Sequence, residues 1–439
     1  MQTNHDRAAS RRRVHLAAFV EGVNHTTVWS HPDAGSQIAV ESFEHIARTA
    51  ERGLFDLLFL GQGLRVREHR GRFFELDVAG RPDTLTLYGA LSAVTERIGL
   101  AATLNTTYTD PVELATGLAT VDHLSDGRSA WNIVTTNDAF TGGNFRRGGY
   151  LDYVDRYRRA TDVIASAEAI WRASENGGRY RYDGAFAAVD GVSGIDPLPQ
   201  RRPLYIQAGD SADGRDFAAR FADVVFSLNT AYDAADRFAT DLEQRLIAAG
   251  RSRSEVRILP IARLVLGDSA ADAEERAREN ALAQVTGQRA IAFAEQVWGR
   301  SLDGVDPDGP LPSYDPVRPE THLTQGRVQS KRDPLETVRG WRERAEQEGL
   351  SLRGLMAAVY GRPAFVGTPS AVADAMLRYT DAGITDGFAL GAYLTPGGFD
   401  EVVDRLVPEL QTRGAYPSAY EGVTAREHLG LDPLRFRSP

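Results

Sequence analysis

The sequence predicts an α/β protein, specifically a (β/α)8 barrel of the TIM type with insertions at the C-terminal face of the strands. Eight short apolar runs recur along the 439 residues, and longer segments with helical periodicity lie between them. Several runs are continuously apolar rather than alternating, which is typical of parallel strands buried on both faces. Eight strands with interleaved helices can close such a barrel. The predicted strands span residues 14–20, 55–60, 98–104, 128–135, 204–208, 224–228, 258–264 and 387–390.

Helices are predicted wherever apolar residues recur at helical spacing between these runs. Two of the starts carry a capping residue followed by proline in the first turn, Thr109-Asp110-Pro111 and Thr368-Pro369, which is a common helix beginning. The predicted helices span about 40–53, 85–96, 111–124, 152–174, 213–221, 233–249, 334–348, 369–382 and 398–412.

Residues 14–433 are predicted to form a single barrel domain, preceded by a disordered basic tail over residues 1–13. Three stretches exceed the simple strand–helix repeat, near 61–84, 175–202 and 270–333, and the last should contain a helix at about 271–296. Long connections inside a compact domain are commonly lids or binding loops. Active sites of such barrels lie at the C-terminal ends of the strands, so we expect these insertions there.

Composition and charge exclude several classes of protein. The chain has no cysteine, which excludes disulfides, thiolate metal sites and a cysteine nucleophile. Its formal net charge of −10 argues against a nucleic-acid or anionic membrane surface. The apolar segment after Ser10-Arg11-Arg12-Arg13 is too short for a secretion signal, and no apolar run is long enough to span a membrane. We therefore expect a cytoplasmic protein that binds neither nucleic acid nor membrane.

Several catalytic motifs are only partly present. Gly61-Gln62-Gly63 follows a predicted strand, but Val66 replaces the third glycine of a dinucleotide fingerprint. Residues 209–213 (GDSAD) lack the final glycine of a nucleophile elbow. The nine histidines show no metal-binding spacing, so no metal site is predicted. The strand-end carboxylates show no pairing that would indicate a glycosidase.

Three blocks in consistent order resemble one family. The first is residues 124–136 (LSDGRSAWNIVTT), followed by 153–157 (YVDRY); the second is 203–211 (PLYIQAGDS), followed by Gly214. The third is 365–369 (FVGTP), with 407–411 (VPELQ) and 426–431 (REHLGL) near the end of the chain. Together they resemble the bacterial-luciferase-like flavin monooxygenases, in the branch of the nitrilotriacetate, dibenzothiophene-sulfone and long-chain alkane monooxygenases.

The resemblance implies a two-component monooxygenase of the oxidoreductase class. Reduced FMN would come from a separate flavin reductase, bind at the C-terminal ends of the barrel strands and react with dioxygen to oxygenate a small organic substrate. Family members suggest a homodimer or homotetramer. Two alternatives stay open: a relative that cleaves or consumes a flavin, as riboflavin-cleaving members do, and a flavin-binding barrel without turnover.

The resemblance also assigns roles to individual positions. Asn132 corresponds to an asparagine beside the flavin, and Tyr157 to a tyrosine that donates to the phosphate. Two histidines, His25 and His322, fall in loops expected on the active face, where they could act in catalysis with Asn105. The candidate cofactor-binding residues are Phe19, Gln62, Asn105, Thr106, Thr107, Asn132, Tyr153, Tyr157, Gly209, Asp210 and Ser211.

Three of these positions depart from the family pattern. The family has alanine-aspartate where this chain has Gly61-Gln62, histidine at Tyr153, and serine at Asp210. An ionised Asp210 pointing at a phosphate would repel it, so either its carboxylate turns outward to solvent or the pocket prefers a flavin that lacks phosphate. We expect the outward orientation. Backbone N–H groups at the start of the next helix would then hold the phosphate.

Overall fold

The computed structural model describes residues 12–23, 26–73, 77–136, 139–145, 151–152, 154–318, 323–326, 332–361 and 363–434. Eight parallel strands form a closed barrel in the order β6-β5-β4-β3-β2-β1-β8-β7, and β7 pairs with β6 to complete the circle. The predicted (β/α)8 fold is therefore confirmed. The strands are β1 (His15–Val20), β2 (Leu57–Leu60), β3 (Gly99–Asn105), β4 (Ser129–Val134), β5 (Leu204–Gln207), β6 (Val224–Ser227), β7 (Arg257–Leu266) and β8 (Gly387–Gly391).

Helices cover the outside of this barrel. Each of the two predicted caps is present: the Asp110 side chain accepts from Val112 N at 2.9 Å, and the Thr368 side chain accepts from Ala371 N at 3.3 Å. The helices are α1 (Val40–Arg52), α2 (Thr84–Ser92), α3 (Pro111–Leu124), α4 (Asp155–Asn176), α5 (Ala212–Phe221), α6 (Tyr232–Ala248), α7 (Ala270–Gln284), α8 (Gly287–Trp298), α9 (Pro334–Glu348), α10 (Leu352–Tyr360), α11 (Pro369–Asp381) and α12 (Val407–Thr412).

The inserted segment after β7 differs from its sequence prediction. The helix expected at about 271–296 is two helices, α7 and α8, because Thr286 caps the second one by accepting a hydrogen bond from Arg289 N at 3.3 Å. Helix α10 was not predicted. The helix expected over 398–412 is a π-helical turn, Val402–Leu406, followed by α12, whose second residue Pro408 has no N–H to donate.

Two of the long connections meet above the barrel. Strand Thr324–Gln325 pairs antiparallel with Glu68–His69, which also forms a hairpin with Arg72–Phe73. The buried Glu295 carboxylate anchors this contact, because its Oε2 lies 2.6 Å from His69 Nε2 and its Oε1 accepts from Leu302 N at 2.8 Å. The connection after α4 forms a separate hairpin, Arg179–Asp183 with Ala188–Val192.

The barrel interior is filled by side chains from alternate positions of every strand. On β1 these are Ala17 and Phe19, whereas Leu16, Ala18 and Val20 face the surrounding helices. Ala425, near the end of the chain, closes the N-terminal end of the barrel, where its backbone N donates to Gly127 O at 3.1 Å. The opposite end, which we call the mouth, carries the C-terminal ends of the strands. Among the described helices, none has the length and apolar character needed to cross a bilayer.

Candidate active site

Three phenylalanines from different strands pack together beneath the mouth. The rings of Phe19 and Phe59 are nearly parallel, with centroids 4.6 Å apart, and Phe226 lies 4.7 Å from Phe59. We call these three residues the aromatic floor. Gly61 permits this packing, because a Cβ there would lie 3.2 Å from the Phe19 ring. Phe59 and Phe226 are buried in the barrel core, whereas Phe19 is only partly buried, so Phe19 is the member of the floor that a planar ring system could contact.

Asn132 presents a buried hydrogen-bond acceptor beside this floor. Its Nδ2 donates to Thr103 Oγ1 at 3.1 Å, and Thr103 Oγ1 in turn donates to Leu60 O at 2.7 Å. Asn132 Oδ1 is buried, and within the described part of the chain it has no hydrogen-bond partner. Such an unsatisfied group costs about 1–3 kcal/mol. The site would recover that free energy on binding a ligand with an N–H or O–H donor.

Asn105, Thr106 and Thr107 are buried and hold two loops of the mouth together. Asn105 donates through Nδ2 to Thr136 Oγ1 and accepts at Oδ1 from Thr107 N, both at 2.8 Å. Thr107 Oγ1 accepts from Thr136 N at 3.0 Å, and Thr106 N donates to Val134 O at 2.9 Å. These contacts fix the loops after β3 and β4, so they make Asn105 a supporting residue; a direct role in catalysis remains a prediction.

A cradle for an anion lies at the N-terminus of α5, where Ser211 caps the helix by accepting from Gly214 N at 3.1 Å. The Tyr157 hydroxyl reaches the same place, because a Cβ on Gly209 or Gly214 would lie 3.1 or 3.0 Å from it. We call Tyr157, Gly209, Ser211 and Gly214 the anion cradle. Backbone N–H groups and the helix dipole favour an anion here, and the absence of side chains on both glycines leaves the hydroxyl accessible.

Arg156, which the sequence analysis missed, adds positive charge to the cradle. This buried guanidinium lies 4.5 Å from the centre of the Tyr157 ring, and its Nη2 is 4.0 Å from Asp213 Oδ2 in the first turn of α5. Its position directly before Tyr157 was visible in the sequence, but adjacent helical residues point in different directions, so spacing alone gave no reason to select it.

Asp210 turns onto the neighbouring loop instead of facing solvent as expected. Its Oδ2 accepts from Leu228 N at 3.2 Å, at the end of β6, and its Oδ1 is buried without a partner among the described residues. Burial raises the pKa of this carboxyl, while the hydrogen bonds from Leu228 and Ser227 lower it. The side chain therefore ties the cradle loop to β6, and the backbone of the cradle stays available to an anion.

Of the remaining predicted residues, one makes a supporting contact and three lie outside the described residues. Gln62 accepts a hydrogen bond from Thr84 Oγ1 at the start of α2, so it holds the loop after β2. Tyr153, His25 and His322 lie outside the described residues. Within the described ranges, no group of three His, Asp or Glu side chains could hold a metal ion.

Charged residues at the mouth were also missed. Glu21, just after β1, forms a bidentate ion pair with Arg263 on β7. Arg263 Nε donates to Glu21 Oε1 and Arg263 Nη2 donates to Glu21 Oε2, both at 2.7 Å. Arg81 donates through Nη1 to Gly61 O at 2.9 Å and through Nη2 to Glu21 O. Arg263 was detectable in principle, because it is a charged residue within the apolar strand β7.

Comparison with known proteins identifies the family. The model of the luciferase-like monooxygenases matches residues 22–386. The chain is 32% identical to the dibenzothiophene-sulfone monooxygenase of Rhodococcus erythropolis strain XP, over 96% of this chain and 97% of that protein. It is 31% identical to nitrilotriacetate monooxygenase component A of Aminobacter aminovorans, over 94% of each chain.

The fold is also similar to that of a solved structure. The crystal structure of DmoA from Hyphomicrobium sulfonivorans matches with a TM-score of 0.77 and 28% identity, covering 95% of this chain and 92% of that chain. The predicted family and branch are thus confirmed, and with them the prediction that the protein is an enzyme. The chain, with its closed eight-stranded barrel and polar mouth, belongs to the luciferase-like monooxygenase family.

Proposed function

We propose that this enzyme is the oxygenase component of a two-component monooxygenase that uses reduced FMN. The observation that carries the proposal is the combination of two features: the buried Asn132 Oδ1, which has no hydrogen-bond partner in the described part of the chain, and the anion cradle that follows the adjacent strand. Asn132 lies on β4, and the cradle follows β5, its direct neighbour in the barrel. A ring system with N–H donors that also bears a phosphate on a flexible chain would satisfy both.

The residues present fit FMN part by part. The isoalloxazine would lie against Phe19 of the aromatic floor and donate to Asn132 Oδ1. The phosphate would accept from Tyr157 and from backbone N–H groups at the start of α5. The Arg156 charge would stabilise the phosphate dianion. Reduced FMN, when bound, supplies the electrons that activate dioxygen for transfer of one oxygen atom to an organic molecule.

The chain itself must orient the substrate and exclude water. Contacts among the residues after β3 and β4 hold the loops beside Asn132, and Arg159 adds to them by donating to the carbonyls of Thr106 and Thr107 at 2.9 and 3.0 Å. The insertions that follow β2 and β7 are held to each other through His69 and Glu295. Loops fixed in this way would limit the access of water to reactive species.

A separate flavin reductase is part of the proposal. It is supported by the name of one relative, nitrilotriacetate monooxygenase component A, which describes one component of a larger system. The named substrates of the two relatives, a sulfone and a tricarboxylate, differ so much in polarity that the family alone does not assign a substrate. A homodimer or homotetramer stays a prediction.

Binding and oxygen consumption together test the proposal. Quenching of flavin fluorescence should show FMN bound at least about tenfold more tightly than riboflavin, because only FMN reaches the cradle. An oxygen electrode should then record substrate-dependent use of dioxygen when reduced FMN is supplied. Binding without turnover across a substrate panel would instead support the non-catalytic alternative, and loss of the flavin chromophore would support the flavin-consuming one.

A further inference from the structure

A small cavity beside the aromatic floor shares only Phe19 with the proposed FMN contacts. It lies between the end of β1, the segment after it and the segment after β8. Its polar lining consists of Glu21, Thr26, Thr27, Gln37, Arg81 and Thr395, and Phe19 of the aromatic floor forms part of its wall. The rest of its lining is apolar, so the polar groups lie on one part of the wall, where a charged group of the substrate could contact them; the apolar residues are Val20, Ile46, Ala392, Leu394 and Phe399.

Arg81 brings a positive charge to this cavity. Its two hydrogen bonds go to backbone carbonyls, Gly61 O and Glu21 O, and no carboxylate of the described residues forms an ion pair with it. Its Nε is buried and, within the same residues, has no hydrogen-bond acceptor. Burial lowers the pKa of Arg81 to about 10, partly offset by Tyr88 and Glu21. The guanidinium is thus a desolvated cation with an unused donor.

The other charge in the cavity is already neutralised. Both oxygens of Glu21 accept from Arg263, and only 11% of the Glu21 side chain is exposed. The three charges of Glu21, Arg263 and Arg81 sum to one positive charge. An anionic group entering the cavity would therefore meet a net cation.

Gln37 supplies a second unused polar group. Its Nε2 lies 2.5 Å from Thr27 Oγ1, and its Oε1 is buried without a partner among the described residues. Since the threonine hydroxyl can donate or accept, the amide can rotate and present its NH2 to the cavity instead. Arg81 and Gln37 can then both donate to one acceptor.

We propose that this cavity binds a carboxylate of the organic substrate, held by Arg81 Nε and the Gln37 amide. The inference rests on the proposed function, because it names the substrate class of that same enzyme: a small organic acid whose oxidisable atom lies over the aromatic floor. A bound carboxylate would accept a hydrogen bond from each of these two groups, so that both Arg81 Nε and the Gln37 amide would have a partner.

Matched pairs of carboxylic acids and their methyl esters test the assignment. The probes are N-acetylmethionine, N-acetylglycine and phenylacetate, each with its ester, titrated calorimetrically into the FMN-loaded protein and into the protein alone. At least one acid should bind about tenfold or more tightly than its ester, because the ester loses the charge-assisted bonds. Equal affinities within every pair, or no binding of any acid, would overturn the proposal.

Gln37→Glu is the sharpest variant, because it keeps the side-chain shape and places a negative charge where the carboxylate would lie. It should abolish the preference for acid over ester, because the acid loses the Gln37 donor and also meets a negative charge, whereas the uncharged ester loses only the donor. Gln244→Glu makes the same change on the exposed face of α6 and should keep the preference. A preserved preference in Gln37→Glu would contradict the site.

Two further measurements distinguish a failure of the carboxylate site from a failure of the proposed function. If Gln37→Glu does not fold, Arg81→Lys replaces it: the charge remains but Nε–H is lost, so the preference should fall by about tenfold. FMN affinity is measured independently by fluorescence. Tight FMN binding without acid selectivity refutes this inference alone, whereas acid selectivity without FMN binding refutes the proposed function and leaves the carboxylate site intact.

Discussion

Glu21 and Arg263 lie 242 residues apart and form an ion pair across the mouth, with both nitrogen–oxygen distances at 2.7 Å. Strand β8 runs between their strands, and the pair passes over Gly391, where a Cβ would lie 2.8 Å from Glu21 Oε1. The missing side chain at this glycine therefore lets a single ion pair join the end of β1 to β7 across the end of β8.

Breaking this pair should destabilise the barrel. Arg263→Met leaves the mostly buried Glu21 carboxylate without its partner, so the free energy of unfolding should fall by about 2 kcal/mol. The loss should be smaller than for a fully buried pair, because 30% of the Arg263 side chain is exposed. Urea unfolding measures the change. The double variant Glu21→Gln/Arg263→Met should recover part of it; a double variant as unstable as the sum of its parts would refute the pairing.

The barrel was predictable because each of its strands is a local apolar run between helices. The anion cradle was visible too, because Gly209, Ser211 and Gly214 lie within six residues of one another. The Glu21–Arg263 pair was not, since it depends on the register of β1, β8 and β7 together. The contact of Asp210 with Leu228 was missed for the same reason: it joins the ends of two strands whose relative height only the folded barrel defines.

Tyr157→Phe tests the anion cradle. The change removes one hydroxyl donor and keeps the ring, which packs on Phe217 with centroids 5.1 Å apart. A charge-assisted hydrogen bond contributes about 1.5–3 kcal/mol, so FMN affinity should fall about tenfold or more while riboflavin affinity stays constant. Fluorescence titration measures both. Tyr182→Phe is the control, because it removes a hydroxyl that donates to Asp162 and is not part of the anion cradle. An equal loss for both flavins in Tyr157→Phe would exclude contact with phosphate.

Asn132→Leu separates ligand binding from folding. Asn132→Leu loses the Nδ2 hydrogen bond to Thr103 but also removes the unsatisfied Oδ1, and these two effects oppose each other. The free energy of unfolding without FMN should therefore change by less than about 1 kcal/mol. FMN affinity should nevertheless fall by about tenfold, and riboflavin affinity with it, since the ring is common to both. Strong destabilisation together with unchanged flavin binding would make Asn132 a purely structural residue.

Asp122 should make stability depend on pH. Burial raises the pKa of its carboxyl to about 6, although Gln200 Nε2 donates to it at 2.6 Å. The folded state therefore holds this proton up to a higher pH than the unfolded state, so stability falls as the pH rises from about 4 to 6, by roughly 2–3 kcal/mol. Urea midpoints across this range should show that component lost in Asp122→Asn and kept in Asp236→Asn, a change on the exposed face of α6. The same pH dependence in both variants would refute the assignment.

Oxygen-isotope labelling tests the central claim most directly. The protein is supplied with reduced FMN by a flavin reductase under ¹⁸O₂, together with a panel of small organic acids and neutral sulfur compounds, and products are analysed by mass spectrometry. A two-component monooxygenase should give a product that carries one ¹⁸O atom and depends on both FMN and the protein. Unlabelled organic compounds together with an oxidatively cleaved flavin, or no product beyond that formed without the protein, would contradict the account.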